Sequence, residues 1–165
     1  MPSSESKGVT TLSVLDRLID DNPKSRSEPV MTSAQSMRIM KAAVRRDLEW
    51  LMNTRRTIQS VPDSCAEARR SVFHYGLPDI SSMSLFSGHD QGFLLKAIET
   101  TISYFEPRLL RPKVVLRPVT GVSRIVHFVI EGMLWVDPAP EQIVFDTVLE
   151  LSNGTYQIQG DAGAR

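Results

Sequence analysis

Cysteine is nearly missing from this chain of 165 residues: Cys65 stands alone, so no disulfide can form within it. A reducing compartment is the expectation. An excess of either charge is missing too, with Lys+Arg and Asp+Glu both at 19. Bulk binding to nucleic acid or to a membrane surface usually needs a basic excess, so neither is expected. Near-zero net charge also gives little self-repulsion, which points to an assembled state. Long apolar runs are absent. The most apolar stretch, "IVHFVIEGMLWV", is broken by His127 and Glu131 and is too short to span a bilayer, so no membrane insertion is expected. "MPSSESKGVT" lacks the basic-then-apolar pattern of a secretory signal, and a cytoplasmic protein is expected. There is no Gly-rich phosphate loop and no nucleophile elbow. His74, His89, His127 and Cys65 have no metal-ligand spacing. No cofactor, no metal and no catalytic residue is expected.

What is present suits one domain with a real core, since 41% of residues are hydrophobic. Leu12, Leu15, Leu18 and Ile19 sit at helical spacing in "TLSVLDRLID". The following "DDNPKSRSEPV" reads as a linker. Residues 1–30 are thus expected to be an amphipathic helix and its linker, 31–160 a single α+β domain, and 161–165 a tail. So short a helix either folds back on the domain or packs into a partner.

Thr32 and Gln35 form a capping-box pattern, and Met37, Met40, Val44, Leu48 and Leu51 then follow at steps of three and four. Arg46 falls off that stripe, within reach of Trp50. A further helix is expected from Ser64, with Glu67 completing a second box and Gly76 ending it before Pro78. Another runs from about Asp90 to Phe105, with Leu94, Ala97, Ile98, Ile102 and Phe105 on one face. The period then changes to two. "KVVLRPV", "RIVHFVIEGMLWV", "IVFDTVLEL" and "TYQIQ" read as strands, with Gly132 a bulge or close-approach site. Asn153-Gly154 signals a hairpin. Helices first and strands second make an α+β fold, N-terminal helices packed on a C-terminal, mainly antiparallel sheet.

"ISYFEPRLL" breaks the helical pattern. Pro107 stops the helix and restrains Glu106, so an acid and a base, Glu106 and Arg108, flank a rigid bend. Two readings are open: a local ion pair at a helix end, worth about 0–1 kcal/mol if exposed, or a docking device. A glycosidase would need two acids astride the sugar bond, one of them kept protonated. Glu99 and Glu106 are the candidates, but Arg108 favours the charged form of Glu106. That suits an anion used for docking better than a general acid.

"SVLDRLID", "RRDLEWLMNTRR", "SVFHYGLPD", "AIETTISYFEPRL" and "FDTVLELSNG" occur in an order and spacing that resembles the TssE family, small baseplate proteins of bacterial type VI secretion systems. That family is similar to a wedge protein of contractile-tailed phage baseplates, historically labelled a lysozyme. The resemblance covers about residues 12 to 158. It implies assembly rather than catalysis, in the cytoplasm at a baseplate docked on the inner membrane. Glu106, Pro107 and Arg108 would dock on the helical core bundle of the wedge proteins TssF and TssG, with TssK a further candidate partner. The sheet would give the sheath proteins TssB and TssC a template. Beside this, the residues themselves offer Leu15 and Leu18 as partner contacts. They also offer the strand at Tyr156, Gln157 and Ile158 as an edge open to another strand. A peptidoglycan-cleaving glycosidase is the alternative.

Overall fold

The computed structural model describes residues 13–19, 32–59, 61–62, 64–80, 83, 87–117, 125–137 and 139–161. The expected linker at 21–30, Leu12, the turn at Thr120-Gly121 and the tail beyond 161 lie outside them. Three α-helices, α1 (Val14–Leu18), α2 (Ser33–Asn53) and α3 (Gly88–Phe105), precede four strands. These are β1 (Leu109–Leu116), β2 (Ile125–Leu134), β3 (Glu141–Glu150) and β4 (Thr155–Asp161). The strands form one antiparallel sheet in the order β1-β2-β3-β4, so β1 and β4 are its edges. The α+β expectation is met.

The second helix starts where its cap demands. The Gln35 N–H donates to Thr32 Oγ1 at 3.3 Å, and the Thr32 N–H donates to Gln35 Oε1 at 2.9 Å. Val44, Leu48 and Leu51 on α2 meet Ile98 and Ile102 on α3 and Phe128, Ile130, Leu134, Ile143, Phe145 and Leu149 of the sheet in one core. Each such side chain contributes about 1.5–3 kcal/mol by leaving water. The α2 stripe is as the spacing predicts, except that Met37 is only partly buried.

Between these helices the expected third α-helix does not form. Ala66–Arg70 and Val72–His74 are short 3₁₀ turns, and no side-chain cap bond forms at the first. The Ser64 hydroxyl contacts Cys65 Sγ rather than the Glu67 N–H. Neither turn buries a residue. A local helix with no apolar face to bury cannot offset its nucleation cost. Gly76 does stop the segment: its φ is +103°, and a Cβ there would lie 2.3 Å from the Thr54 carbonyl oxygen.

Two details of the sheet position the candidate site residues. Gly132 is a close-approach site, since a Cβ there would lie 2.7 Å from Leu109 Cδ1. The irregularity is in its partner strand instead. The register of β1 shifts between Leu110 and Lys113, with Arg111 at φ 51° immediately before Pro112. The β3–β4 connection is Leu151–Gly154, where Glu150 faces Thr155, Gly154 donates to the Glu150 carbonyl at 2.9 Å and φ of Gly154 is +66°.

Candidate functional site: the Glu-Pro-Arg corner and the sheet edges

The last turn of α3 ends at Glu106, whose N–H still donates to Ile102. The chain does not run on extended. The Leu109 N–H donates to the Glu106 carbonyl at 3.1 Å, closing a β-turn with Pro107 at its second position, where the fixed φ of proline is favoured. This turn folds Arg108 back over Glu106. The Arg108 Nε donates to Glu106 Oε1 at 2.6 Å and Nη2 to Oε2 at 2.5 Å, a two-pronged pair on a carboxylate only 3% exposed. The Arg108 carbonyl accepts the Trp135 N–H at 2.7 Å, which fastens its backbone to the end of β2.

The pair is one end of a longer chain of charges. Arg108 Nη2 also donates to Asp47 Oδ2 at 2.5 Å. Asp47 Oδ1 accepts from Arg46 Nε at 2.9 Å, and Arg46 Nη2 reaches Asp16 of α1 at 2.8 Å. Burial would push the Asp16 carboxyl up, but the Ser13 hydroxyl and Arg46 hold it below its ordinary value. Arg108 is pushed up, by its bonds to Glu106 first and against the cost of burial. Arg46 also lies 5.1 Å from the Trp50 ring centre, as its position predicts. Beside the corner is an open groove of about 500 Å³, lined by Leu15, Trp50, Tyr75, Phe105 and Pro107 along with the ion pairs. The Arg108 Nη1 is buried and has no hydrogen-bond partner among the described residues.

The other predicted residues lie apart from this corner or above it. Leu15 lines the groove, whereas Leu18 on α1 is 76% exposed. So α1 is tied down by its polar residue, Asp16, while Val14, Leu15, Leu18 and Ile19 face largely outward. Tyr156, Gln157 and Ile158 lie on β4, and the structure separates their roles. The Tyr156 N–H donates to Asn53 Oδ1 and the Tyr156 carbonyl accepts from Asn53 Nδ2, each at 2.9 Å. Those backbone groups therefore point away from β3, and the amide at the end of α2 occupies them as a neighbouring strand would. By the alternation of a strand, Gln157 turns its N–H toward β3 and Ile158 turns its own outward.

On the opposite edge Glu99 plays the corresponding part, its Oε1 accepting the Val114 N–H at 2.8 Å. Neither carboxylate of the glycosidase alternative is free for acid–base work, since Glu99 holds an edge and Glu106 holds Arg108. Sequence reasoning missed Asp47, Asn53 and the edge role of Glu99. Asp47 stood beside the apolar stripe with nothing to mark a cross-chain partner, and Asn53 read only as a helix end. Among the described residues no helix is long and apolar enough to cross a membrane.

No curated protein and no solved structure gives a significant match to this chain. Residues 38–139, more than half of the chain, match the family Baseplate wedge protein gp25. That span takes in most of α2, together with α3, the Glu-Pro-Arg corner, β1 and β2, whereas α1 and the β4 edge lie outside it. The chain therefore belongs to the gp25 baseplate wedge family, structural and non-enzymatic components of contractile, tail-like machinery.

Proposed function

We propose that this chain is a baseplate subunit of a type VI secretion system, of the TssE kind. In this reading it docks on the core bundle of TssF and TssG through Glu106, Pro107 and Arg108. Leu15 and Leu18 add apolar contacts, and the β4 edge starts the sheath of TssB and TssC. The observation that carries the docking is the Arg108 guanidinium. It is fixed by a proline turn, by Trp135 and by two carboxylates, and its side chain, still 21% exposed, lines the open groove. An interface that meets a preset donor loses little entropy on ordering it.

The test must separate docking from folding, because Glu106 is buried on Arg108. The double variant Glu106→Gln/Arg108→Leu removes the charge on both sides and keeps an acceptor for the turn. Co-expressed with TssF and TssG, it is expected to stay folded by circular dichroism and to be lost from the co-purified complex. Recovery of the double variant at the parent level would refute docking through this corner. For the sheath, Ile158→Pro removes an outward N–H; persistence of contractile sheaths in cells carrying that folded variant would refute the edge reading.

A further inference from the structure

We infer that the outer face of α3, together with the second 3₁₀ turn, docks an acidic segment of another protein. The partner's carboxylates would sit on Arg56 and Lys96, and one apolar side chain in the cavity lined by Phe93 and Tyr104. The α3 helix presents Phe93, Lys96, Thr100 and Tyr104 at steps of three and four, on the side away from the sheet. Phe93 is 50% exposed and Tyr104 40%. Two aromatic rings left in water on one helix face mark an interaction surface rather than a solvated one.

The cavity these residues line is about 210 Å³ and open to one side. Small-molecule sites usually run to about 300–1,000 Å³, so this one suits a single protein side chain better than a free ligand. Its charge is of one sign. Arg56 and Lys96 line it, none of the lining residues is an acid, and the Arg70 guanidinium lies 5.8 Å from the Tyr104 ring centre. This is a local excess on a chain of zero net charge. Glu99, three residues from Lys96 on the same helix, is turned to the Val114 N–H. His74 registers the result: burial first, then Arg56 and Arg69, hold its proton affinity below the ordinary value. A chain of pI about 6.8 is poorly suited to a nucleic-acid backbone, so a protein acid is the better match. The surface also continues past the docking corner. Phe105 lines both cavities and meets Tyr75 edge-on at 5.2 Å between centroids.

The test uses the full chain and fluorescence anisotropy with three probes. These are a short labelled peptide of Glu, Asp and Leu, its Gln/Asn counterpart, and a thymidine oligonucleotide of equal length. The acidic peptide is expected to bind, more weakly as salt rises, and the neutral one not. Lys96→Glu, on an exposed side chain that the fold does not need, is expected to weaken binding about tenfold, as loss of a charge-assisted contact does. Tyr104→Ser is expected to weaken it as well. The Glu106→Gln/Arg108→Leu variant is expected to bind like the parent, which keeps this surface distinct from the corner. Equal binding of the neutral peptide, indifference to Lys96→Glu, or an oligonucleotide bound as tightly as the acidic peptide would each overturn the inference.

Discussion

The two edges of the sheet face the same hazard and meet it differently. Each outer strand has a row of backbone groups that could pair with a foreign strand. At β1 the row is interrupted over residues 111–114. Arg111 bends it at positive φ, Pro112 has no N–H to offer, Lys113 adds a charge and Glu99 takes the Val114 N–H. At β4 one residue is closed and the next is not. Asn53 takes both backbone groups of Tyr156, but Ile158 turns its own outward with no proline or lysine in the strand. The closed edge leads directly out of the Glu-Pro-Arg turn. A subunit that is fixed at one side and extended at the other, as proposed above, would be built this way, with Asn53 as a register stop for an incoming strand.

The largest way to break this comparison is at the corner where β1 begins. Arg108→Ala leaves the Glu106 carboxylate buried with no cation, and breaking a buried pair from one side costs about 3–5 kcal/mol. The expected result is a large drop in the urea midpoint. The double variant Glu106→Gln/Arg108→Leu should recover much of that drop, since it strands no charge. If Arg108→Ala melts like the parent, the pair is a surface ornament and β1 is not anchored through it.

Next in size is a proline scan of β4. Gln157 turns its N–H inward, so Gln157→Pro removes a ladder bond to Val148 and should cost about 3 kcal/mol. Ile158→Pro removes no ladder bond; its cost is lost packing, about 1–2 kcal/mol. Chemical denaturation of the two variants should therefore rank them in that order. The reverse order would mean that the outward groups of β4 are assigned to the wrong residues.

Smaller again is the effect of opening each edge. Asn53→Ala frees the Tyr156 groups to water at a cost near 1 kcal/mol, because solvent replaces what the amide supplied. Its more telling result is association: with the stop removed, light scattering should report self-pairing through β4. Glu99→Ala should not associate, since Arg111, Pro112 and Lys113 still guard β1. Association of the Glu99 variant, with Asn53→Ala remaining monomeric, would invert the comparison.

Sequence alone shows the skeleton of these edges but not their guards. The strands, their alternation and the hairpin at Asn153-Gly154 were legible because a period of two and a turn dipeptide are local signals. The proline corner was legible for the same reason. Glu99, Asp47 and Asn53 act across gaps of many residues, with Asn53 reaching Tyr156, and no spacing rule carries that information. The segment after Ser64 misled because a capping-box pattern is also local, whereas the decision against an α-helix came from the absence of anything to pack on. Even Pro107 gave only half its answer: it predicted a rigid bend, but the turn that lays Arg108 on Glu106 needed Leu109 to close it.

The smallest expected effect concerns α1, whose Leu15 lines the groove at the corner. Its apolar side chains face outward, and it is held by Asp16 on Arg46. If α1 were part of the core, Leu18→Asp would expel a buried side chain and cost several kcal/mol. Leu18 is 76% exposed, so the change should lie within about 0.5 kcal/mol, the range for surface substitutions. If α1 contacts TssF and TssG as proposed, the same variant should reduce capture of that complex, because a charge would replace an apolar contact. Asp16→Ala gives the complementary reading. It releases the tether while keeping Leu15 and Leu18, so binding should survive better than in Leu18→Asp. A drop of several degrees in the melting temperature for Leu18→Asp would place the helix in the fold. Unchanged stability with unchanged capture would remove Leu18 from the proposed contact and leave that proposal to Glu106, Pro107 and Arg108.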